Sequence, residues 1–246
     1  MLVLAPGLGM GVSNYTTLAE EMASHGYVVV GVNPTYSTSV VLSGGRLVSA
    51  VPKAADDADL NQLNFVWAAD MRFVADHMLA LSIATDGPFS GRVDPRQVGY
   101  FGHSAGGAAA AEACRLDPRC AGAADLDGDL AGEVVRNGLN KPFLFLGQDG
   151  SLAASSQTLT SLRGLLRGET PGQAHVLTIA GTRHVSFTDR SGEFNLFKQQ
   201  PLEGSRGLRI IGEYVRVFFD AEMRGRDGRL LTAPSRAYPE VHFESP

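Results

Sequence analysis

The chain has 246 residues, of which 44% are hydrophobic, and a formal net charge of −5. This length suits one α/β domain, since such domains often run to about 250 residues. The 21 basic residues are scattered along the chain rather than clustered, which argues against nucleic acid or an anionic membrane as the main partner. No segment approaches the ~18 apolar residues of a membrane span, and no cysteine–histidine spacing resembles a metal site.

Two features of the sequence bear on the compartment, and both leave it open. The first residues carry no basic segment, and the apolar stretch at 2–5 is too short for a signal peptide. A cytoplasmic protein and an exported one without its leader therefore both fit. Cys114 and Cys120 flank a turn, where a disulfide and two buried thiols fit about equally well.

Short apolar runs alternate with helical patterns, which predicts a parallel sheet with helices on both faces. Residues 2–5 form the first predicted strand, and the glycine-rich segment 6–11 breaks it. A helix capped by Ser13 or Asn14 should run to about His25. The valine-rich run 27–32 predicts a fully buried parallel strand. The segment 37–55 fits a loop or hairpin over the site and equally a surface excursion.

The longest helical pattern covers residues 56–80 and carries an apolar stripe on which Trp67 is expected to be a core residue. The stripe consists of Leu60, Leu63, Val66, Trp67, Met71, Val74 and Met78. Later strands are predicted at 121–126, 143–146 and 175–179, with helices at 155–167 and 208–219. We therefore predict one α/β domain over residues 1–246, ending in a polar tail from about residue 226.

The motif Gly102-His103-Ser104-Ala105-Gly106-Gly107 lies between an apolar run and an alanine-rich helix former. Strand, Gly-x-Ser-x-Gly and helix together are typical of a nucleophile elbow, a sharp turn that exposes the serine hydroxyl. The flanking glycines are needed because a Cβ there would collide with the neighbouring strand or helix. The pattern predicts Ser104 as a nucleophile and the N–H of Ala105 as an oxyanion donor. His103 should point away from the site.

The glycine-rich loop after the first strand is the expected source of a second oxyanion N–H. We assign that donor to Leu8, with Gly9 as the neighbouring alternative. Tyr36 follows the strand at 27–32, at the sheet edge where open α/β sheets bind ligands. Gly9, Tyr36 and Phe187 are the candidate pocket residues, although Phe187 fits the core equally well.

A serine nucleophile needs a base, and the base needs an orienting acid. Elbow hydrolases place them in the chain order serine, acid, histidine. Among the later histidines, His184 alone follows the end of a predicted strand in a loop that can return over the elbow. Asp127 and Asp149 both lie at strand ends, and spacing does not decide between them.

Several pieces of the chain, in order, resemble the platelet-activating-factor acetylhydrolase branch of the α/β-hydrolases, including its bacterial and fungal esterases. They are Pro6-Gly7-Leu8-Gly9, Leu18-Ala19, Ala23-Ser24-His25-Gly26-Tyr27, Gly102-His103-Ser104-Ala105-Gly106-Gly107, Leu126-Asp127-Gly128 and His184-Val185-Ser186-Phe187-Thr188-Asp189. The resemblance implies an α/β-hydrolase fold, Asp127 as the triad acid, and Leu8 and Ala105 as the oxyanion donors.

Two departures from that family stand out. Pro6-Gly7 replaces the usual His-Gly, which should not affect a backbone donor. The first antiparallel strands of the fold are missing before residue 2, so the strand at 27–32 should be a sheet edge, open to oligomerisation.

Together these features predict a serine esterase that acts through an acyl-enzyme without metal or organic cofactor. The segment 128–140 is too short for a large cap, which favours short acyl esters, in line with the acetyl and phospholipid esters that the resemblance implies. Polyester and aromatic esters are compatible. The alternatives are an acyltransferase or peptidase with the same triad, and a non-catalytic hydrolase-fold binding protein.

Overall fold

The structure is a computed structural model, which describes residues 1–51, 59–153, 156–167, 173–192 and 202–245. Its strands are β1 (Leu2–Ala5), β2 (Val29–Gly31), β3 (Val40–Val41), β4 (Leu47–Val48), β5 (Val98–His103), β6 (Cys120–Leu126), β7 (Phe143–Gln148), β8 (Ala174–Ile179) and β9 (Val241–Phe243). Its α-helices are α1 (Thr16–Ser24), α2 (Leu60–Ile83), α3 (Ala105–Leu116), α4 (Glu133–Asn137), α5 (Gln157–Leu165) and α6 (Gly204–Arg224).

The main sheet has the strand order β2-β1-β5-β6-β7-β8-β9, with every neighbouring pair parallel except β8 and β9. Side chains of a strand point alternately to its two faces, and both faces of this sheet are buried. Val3 and Tyr100 belong to a core cluster shared with α2 and α3, whereas Leu4 and Phe101 belong to a cluster shared with α1 and α6. The predicted parallel sheet between two helical layers is confirmed.

Strand β2 lies at one end of the described sheet, so the predicted edge position is confirmed. The prediction of a fully buried strand is wrong. Val29 and Val30 are half-buried and Gly31 is exposed, because a neighbouring strand covers only one flank. Residues 40–48 form a separate two-stranded hairpin, and residues 52–55 of the same predicted segment lie outside the described residues.

Helix α1 starts later than its sequence suggests, because residues 12–15 form a 3-10 turn and neither Ser13 nor Asn14 provides a side-chain cap. Helix α2 begins after Asp59, whose carboxylate accepts a hydrogen bond from the Asn61 N–H. Residues 56–58 of that prediction are not among the described residues. Trp67 is buried as predicted.

The predicted stripe on α2 does not follow the buried face throughout. Leu60 and Val66 are 47% and 48% exposed. The helix carries apolar side chains on every face, and Phe73 on its outer face is 71% exposed. On such a helix the spacing of apolar residues does not identify the buried face reliably. None of the described helices has both the length and the apolar composition needed to span a bilayer.

The segment predicted as a polar tail contributes to the fold. Its strand β9 pairs antiparallel with β8, and Leu231 and Val241 are buried against α6 and the sheet. A three-residue strand carries too little periodicity to be recognised from sequence. Pairing with a strand more than sixty residues earlier defines it, since Ile179 lies opposite Val241.

Cys114 and Cys120 form a disulfide, with Cα atoms 5.2 Å apart, across the turn between α3 and β6. The same turn is held by Asp117, whose carboxylate accepts hydrogen bonds from Tyr100 and Arg119. We expect reduction to lower the free energy of unfolding by about 2 kcal/mol, the effect of closing so short a loop. The polar contacts should keep the reduced chain folded.

Urea unfolding with and without a thiol reductant measures this difference. The Cys114→Ser/Cys120→Ser variant is the control, because reductant should leave its unfolding curve unchanged. Identical curves for the oxidised and reduced wild type would contradict the prediction.

Candidate active site

Parallel strands bring the predicted site residues to one edge of the sheet. Ser104 follows β5, Asp127 follows β6 and His184 lies beyond β8, so all three are at carboxyl ends, where ligands bind in open α/β sheets. They border one cavity of about 430 Å³. Its described lining is Leu8, Leu60, Ser104, Ala105, Asp127, Asp129, Gln148, Ser151, Thr158 and His184.

Ser104 has the backbone conformation of a strained turn, with φ 57° and ψ −125°. The turn needs glycine on both sides. A Cβ on Gly102 would lie 2.6 Å from the Ala5 carbonyl oxygen, and one on Gly106 would overlap the carbonyl groups of Ala5 and Pro6. The Ser104 N–H donates to the Leu126 carbonyl oxygen at 2.9 Å. The strand–turn–helix geometry is therefore the one predicted for the elbow.

His184 and Asp127 are joined by a hydrogen bond of 2.6 Å between Nδ1 and Oδ2. The other carboxylate oxygen of Asp127 accepts from the Gln148 N–H at 2.8 Å. The carboxylate is almost fully buried, whereas the imidazole is 48% exposed on the cavity side. Burial raises the pKa of Asp127 above its ordinary value, and the hydrogen bond from His184 opposes that rise.

An ionised Asp127 accepts at Oδ2, so His184 carries its hydrogen on Nδ1 and leaves Nε2 with a free lone pair. A base prepared in this way, in a cavity shared with a serine hydroxyl, is the requirement for nucleophilic acyl transfer.

Asp149, the alternative acid, is engaged elsewhere. Its Oδ2 accepts from the Gly181 N–H at 3.0 Å, a contact that fastens the loop after β8. Asp149 is also absent from the described lining of the cavity. Of the two carboxylates that the sequence left open, the structure brings Asp127 to His184.

The backbone N–H groups in the loop after β1 differ in whether they have a hydrogen-bond acceptor. The Gly9 N–H donates to Ser37 Oγ at 3.0 Å, and the Gly7 N–H donates to Tyr15 Oη at 2.8 Å. Within the described chain the Leu8 N–H has no acceptor. Ala105 is the first residue of α3, where N–H groups lack an intrahelical partner. Leu8 and Ala105 thus line the same cavity as Ser104 with N–H groups that have no acceptor among the described residues, whereas the Gly9 N–H is engaged.

The loop carrying His184 is anchored at both of its ends. At its start the Arg183 N–H donates to Ser186 Oγ and the Ser186 N–H returns to the Arg183 carbonyl oxygen, at 2.9 and 2.8 Å. At its end the Asp189 N–H donates to the Asn14 carbonyl oxygen at 2.8 Å. The loop that carries His184 is thereby tied to the 3-10 turn at 12–15, which directly precedes α1.

The three candidate pocket residues do not appear in the described lining of the cavity. Phe187 is buried in the core, the alternative that the sequence left open. Tyr36 is 57% exposed, and Gly9 is engaged with Ser37.

Sequence reasoning missed the cavity residues Leu60, Asp129, Gln148, Ser151 and Thr158. Gln148 ends β7, so its place at the carboxyl edge of a strand could have indicated it. The others belong to no motif.

No protein-family model matches the chain. It is 27% identical to a protein of Arthroderma benhamiae named probable 1-alkyl-2-acetylglycerophosphocholine esterase, over 99% of this chain and 65% of that protein. The chain thus spans somewhat less than two thirds of the length of this curated relative. It is also 33% identical to the solved ferulic acid esterase of Streptomyces cinnamoneus, with a TM-score of 0.86, over 99% of this chain and 73% of that one. The chain therefore belongs to the α/β-hydrolase superfamily, and within it resembles the platelet-activating-factor acetylhydrolase branch.

Proposed function

We propose that the chain hydrolyses carboxylic esters through a triad of Ser104, His184 and Asp127. The observation that carries this proposal is the 2.6 Å hydrogen bond from His184 Nδ1 to Asp127 Oδ2, in the same cavity as a serine at a strained strand-to-helix turn. Both similar proteins bear the names of ester hydrolases, which supports the same reaction class.

In the proposed reaction Ser104 Oγ attacks the ester carbonyl carbon while His184 Nε2 takes the hydroxyl proton. Asp127 holds the imidazole in the required tautomer and stabilises its charged form. His184 then gives the proton to the departing alkoxide, which leaves an acyl-enzyme. Water, with its proton taken by the same Nε2, then attacks the acyl carbon. The bond from that carbon to Ser104 Oγ breaks, His184 returns the proton to the serine oxygen, and the acid leaves.

The tetrahedral intermediates place negative charge on the former carbonyl oxygen. The free N–H groups of Leu8 and Ala105 are suited to receive it. One such donor contributes about 3–4 kcal/mol to transition-state stabilisation in measured cases.

We further propose a preference for short acyl esters. The segment from 128 to 140 contains only the five-residue helix α4, so it forms no large cap over the cavity. The cavity has a mixed lining, with Leu8 and Leu60 beside Gln148 and Ser151, rather than the apolar channel that a long acyl chain would need. The fungal relative is named for an acetyl ester.

Hydrolysis of p-nitrophenyl esters from acetyl to palmitoyl tests the proposal directly. We expect kcat/KM to be highest for acetyl to butyryl and to fall by at least about tenfold at octanoyl, since a long acyl chain has no apolar channel to enter and must displace lining side chains or shift the ester from its reacting position. A maximum at palmitoyl would contradict the proposed acyl preference but not the ester chemistry. The absence of turnover on every ester by a folded sample would contradict the proposed function itself.

A further inference from the structure

A buried series of hydrogen bonds connects the loop after β1 with the loop that carries His184. The Gly7 N–H donates to Tyr15 Oη at 2.8 Å, and Tyr15 Oη lies 2.8 Å from His103 Nδ1. On the other side of the ring, His103 Nε2 lies 3.0 Å from the His184 carbonyl oxygen. Tyr15 and His103 are each only 1% exposed.

The direction of each hydrogen bond follows from the groups involved. A backbone carbonyl oxygen only accepts, so His103 Nε2 carries the hydrogen that is donated to His184. Burial, assisted by the nearby His184, lowers the pKa of His103 to about 3, so the ring is neutral and Nδ1 is an acceptor. The Tyr15 hydroxyl therefore donates to Nδ1. The Met10 sulfur, 3.2 Å from the same hydroxyl, is a weaker acceptor.

Close packing fixes the same groups in place. A Cβ on Gly7 would lie 3.0 Å from His103 Nδ1 and 3.2 Å from Tyr15 Oη, so the loop backbone rests directly on the two side chains. The His103 ring packs against the rings of His184 and Phe187, with centroid separations of 4.4 and 6.0 Å.

The two ends of this series of hydrogen bonds are the loop that carries the proposed Leu8 donor and the loop that carries His184. Gly7 precedes Leu8, and its carbonyl oxygen accepts from the Met10 N–H at 3.0 Å. The peptide groups before and after Gly7 are thereby both held by hydrogen bonds. The second of them contains the Leu8 N–H, so the direction of that N–H is fixed as well. At the other end the contact fixes the backbone of His184, and His103 is covalently joined to Ser104.

We propose that Tyr15 and His103 are positioning residues, which hold the Leu8 donor and the His184 base in register with Ser104. Neither is part of the described cavity lining, so they act through the groups they hold rather than on the substrate. The inference rests on the proposed esterase function. A displacement of about 1 Å in a catalytic group can cost roughly a hundredfold in rate. Loss of the hydrogen bonds through Tyr15 and His103 should therefore appear mainly as a lower kcat.

Tyr15→Phe is the sharpest test, because it removes one buried hydroxyl and keeps the ring. We expect kcat to fall about tenfold to a hundredfold on p-nitrophenyl acetate, with KM changed less than about threefold. A trifluoromethyl ketone, which adds to the serine and places an oxyanion toward the same donors, should lose affinity by a factor similar to the loss in kcat/KM.

Tyr100→Phe is the matched control. Its hydroxyl is also buried, and it donates to Asp117 Oδ2 at 2.6 Å, away from the cavity. We expect it to lower Tm as Tyr15→Phe does while leaving kcat and ketone affinity unchanged. Equal losses of kcat in both variants would show a general effect of stability and overturn the proposal.

A second pair of variants tests His103 itself. His103→Gln keeps an N–H donor that can reach the His184 carbonyl oxygen, whereas His103→Phe keeps the packing and loses every hydrogen bond. The glutamine variant should retain about tenfold more kcat than the phenylalanine variant. Equal kcat in these two, or wild-type kcat in a folded Tyr15→Phe protein, would overturn the positioning role alone. A wild type without Ser104-dependent turnover would overturn the proposed function and this inference with it.

Discussion

Replacing Ser104 with alanine is expected to lower kcat by roughly 10⁶-fold on p-nitrophenyl acetate, the loss seen when the nucleophile of a serine triad is removed. The fold should persist. Alanine adds no atom to the strained turn, and the Ser104 backbone contacts, such as its N–H bond to the Leu126 carbonyl oxygen, do not involve the side chain. Tm and the circular dichroism spectrum should therefore match those of the wild type.

A serine-directed phosphonate gives an independent readout of the same residue. It should add its mass to the tryptic peptide that contains Ser104, and the Ser104→Ala protein should remain unlabelled. Ser235→Ala is a suitable control because Ser235 is outside the described cavity lining. Substantial turnover by Ser104→Ala would require a different nucleophile and would contradict the proposed triad.

The elbow could be predicted from sequence because its requirements are local. Strand β5, the turn and α3 follow one another within about twenty residues, and each has its own signal: apolar residues, paired glycines and an alanine run. The apolar run that precedes the motif covers residues 97–101, and the observed strand β5 ends two residues later, at His103. Steric exclusion at Gly102 and Gly106 is likewise a property of neighbours in the chain.

Position within the sheet could not be predicted so well. The valine run at 27–32 has the composition of a central strand, but Gly31 is exposed because β2 lies at the edge. Strand β9 was missed for the complementary reason, since its formation depends on β8 rather than on its own three residues. The topology of the chain determines which strands are neighbours in a sheet, and hydrophobic periodicity carries no information about that topology.

The cavity shows the same limit at the level of side chains. Leu60 opens a helix, whereas Ser151 lies in a turn and Thr158 lies in the helix that follows it. Two segments far from Ser104 in the sequence therefore meet around it. No spacing rule connects such residues. The hydrogen-bonded chain through Tyr15 and His103 is of the same kind, because its members are 88 residues apart in sequence.

Replacing Asp127 with asparagine is expected to lower kcat by about 10⁴-fold, since the corresponding change in a serine protease has that effect. Asparagine is nearly isosteric, so its carbonyl oxygen can still accept from Gln148. Its amide nitrogen then donates to His184 Nδ1 and stabilises the tautomer with hydrogen on Nε2. That tautomer cannot take the proton of Ser104, and no carboxylate is left to stabilise the imidazolium.

Asp149→Asn is the matched control, because it makes the same chemical change one strand further along. Its amide oxygen can still accept from the Gly181 N–H, so kcat should stay within about twofold of the wild type, as for a substitution outside the reacting groups. Comparing kcat of the two variants shows which of the two carboxylates acts as the triad acid, a choice that sequence spacing left open. A large loss in Asp149→Asn with near-normal turnover in Asp127→Asn would mean that the imidazole of His184 turns toward the loop after β7 during catalysis. Large losses in both would mean that the Asp149–Gly181 contact holds the His184 loop itself, and Tm would then fall together with kcat.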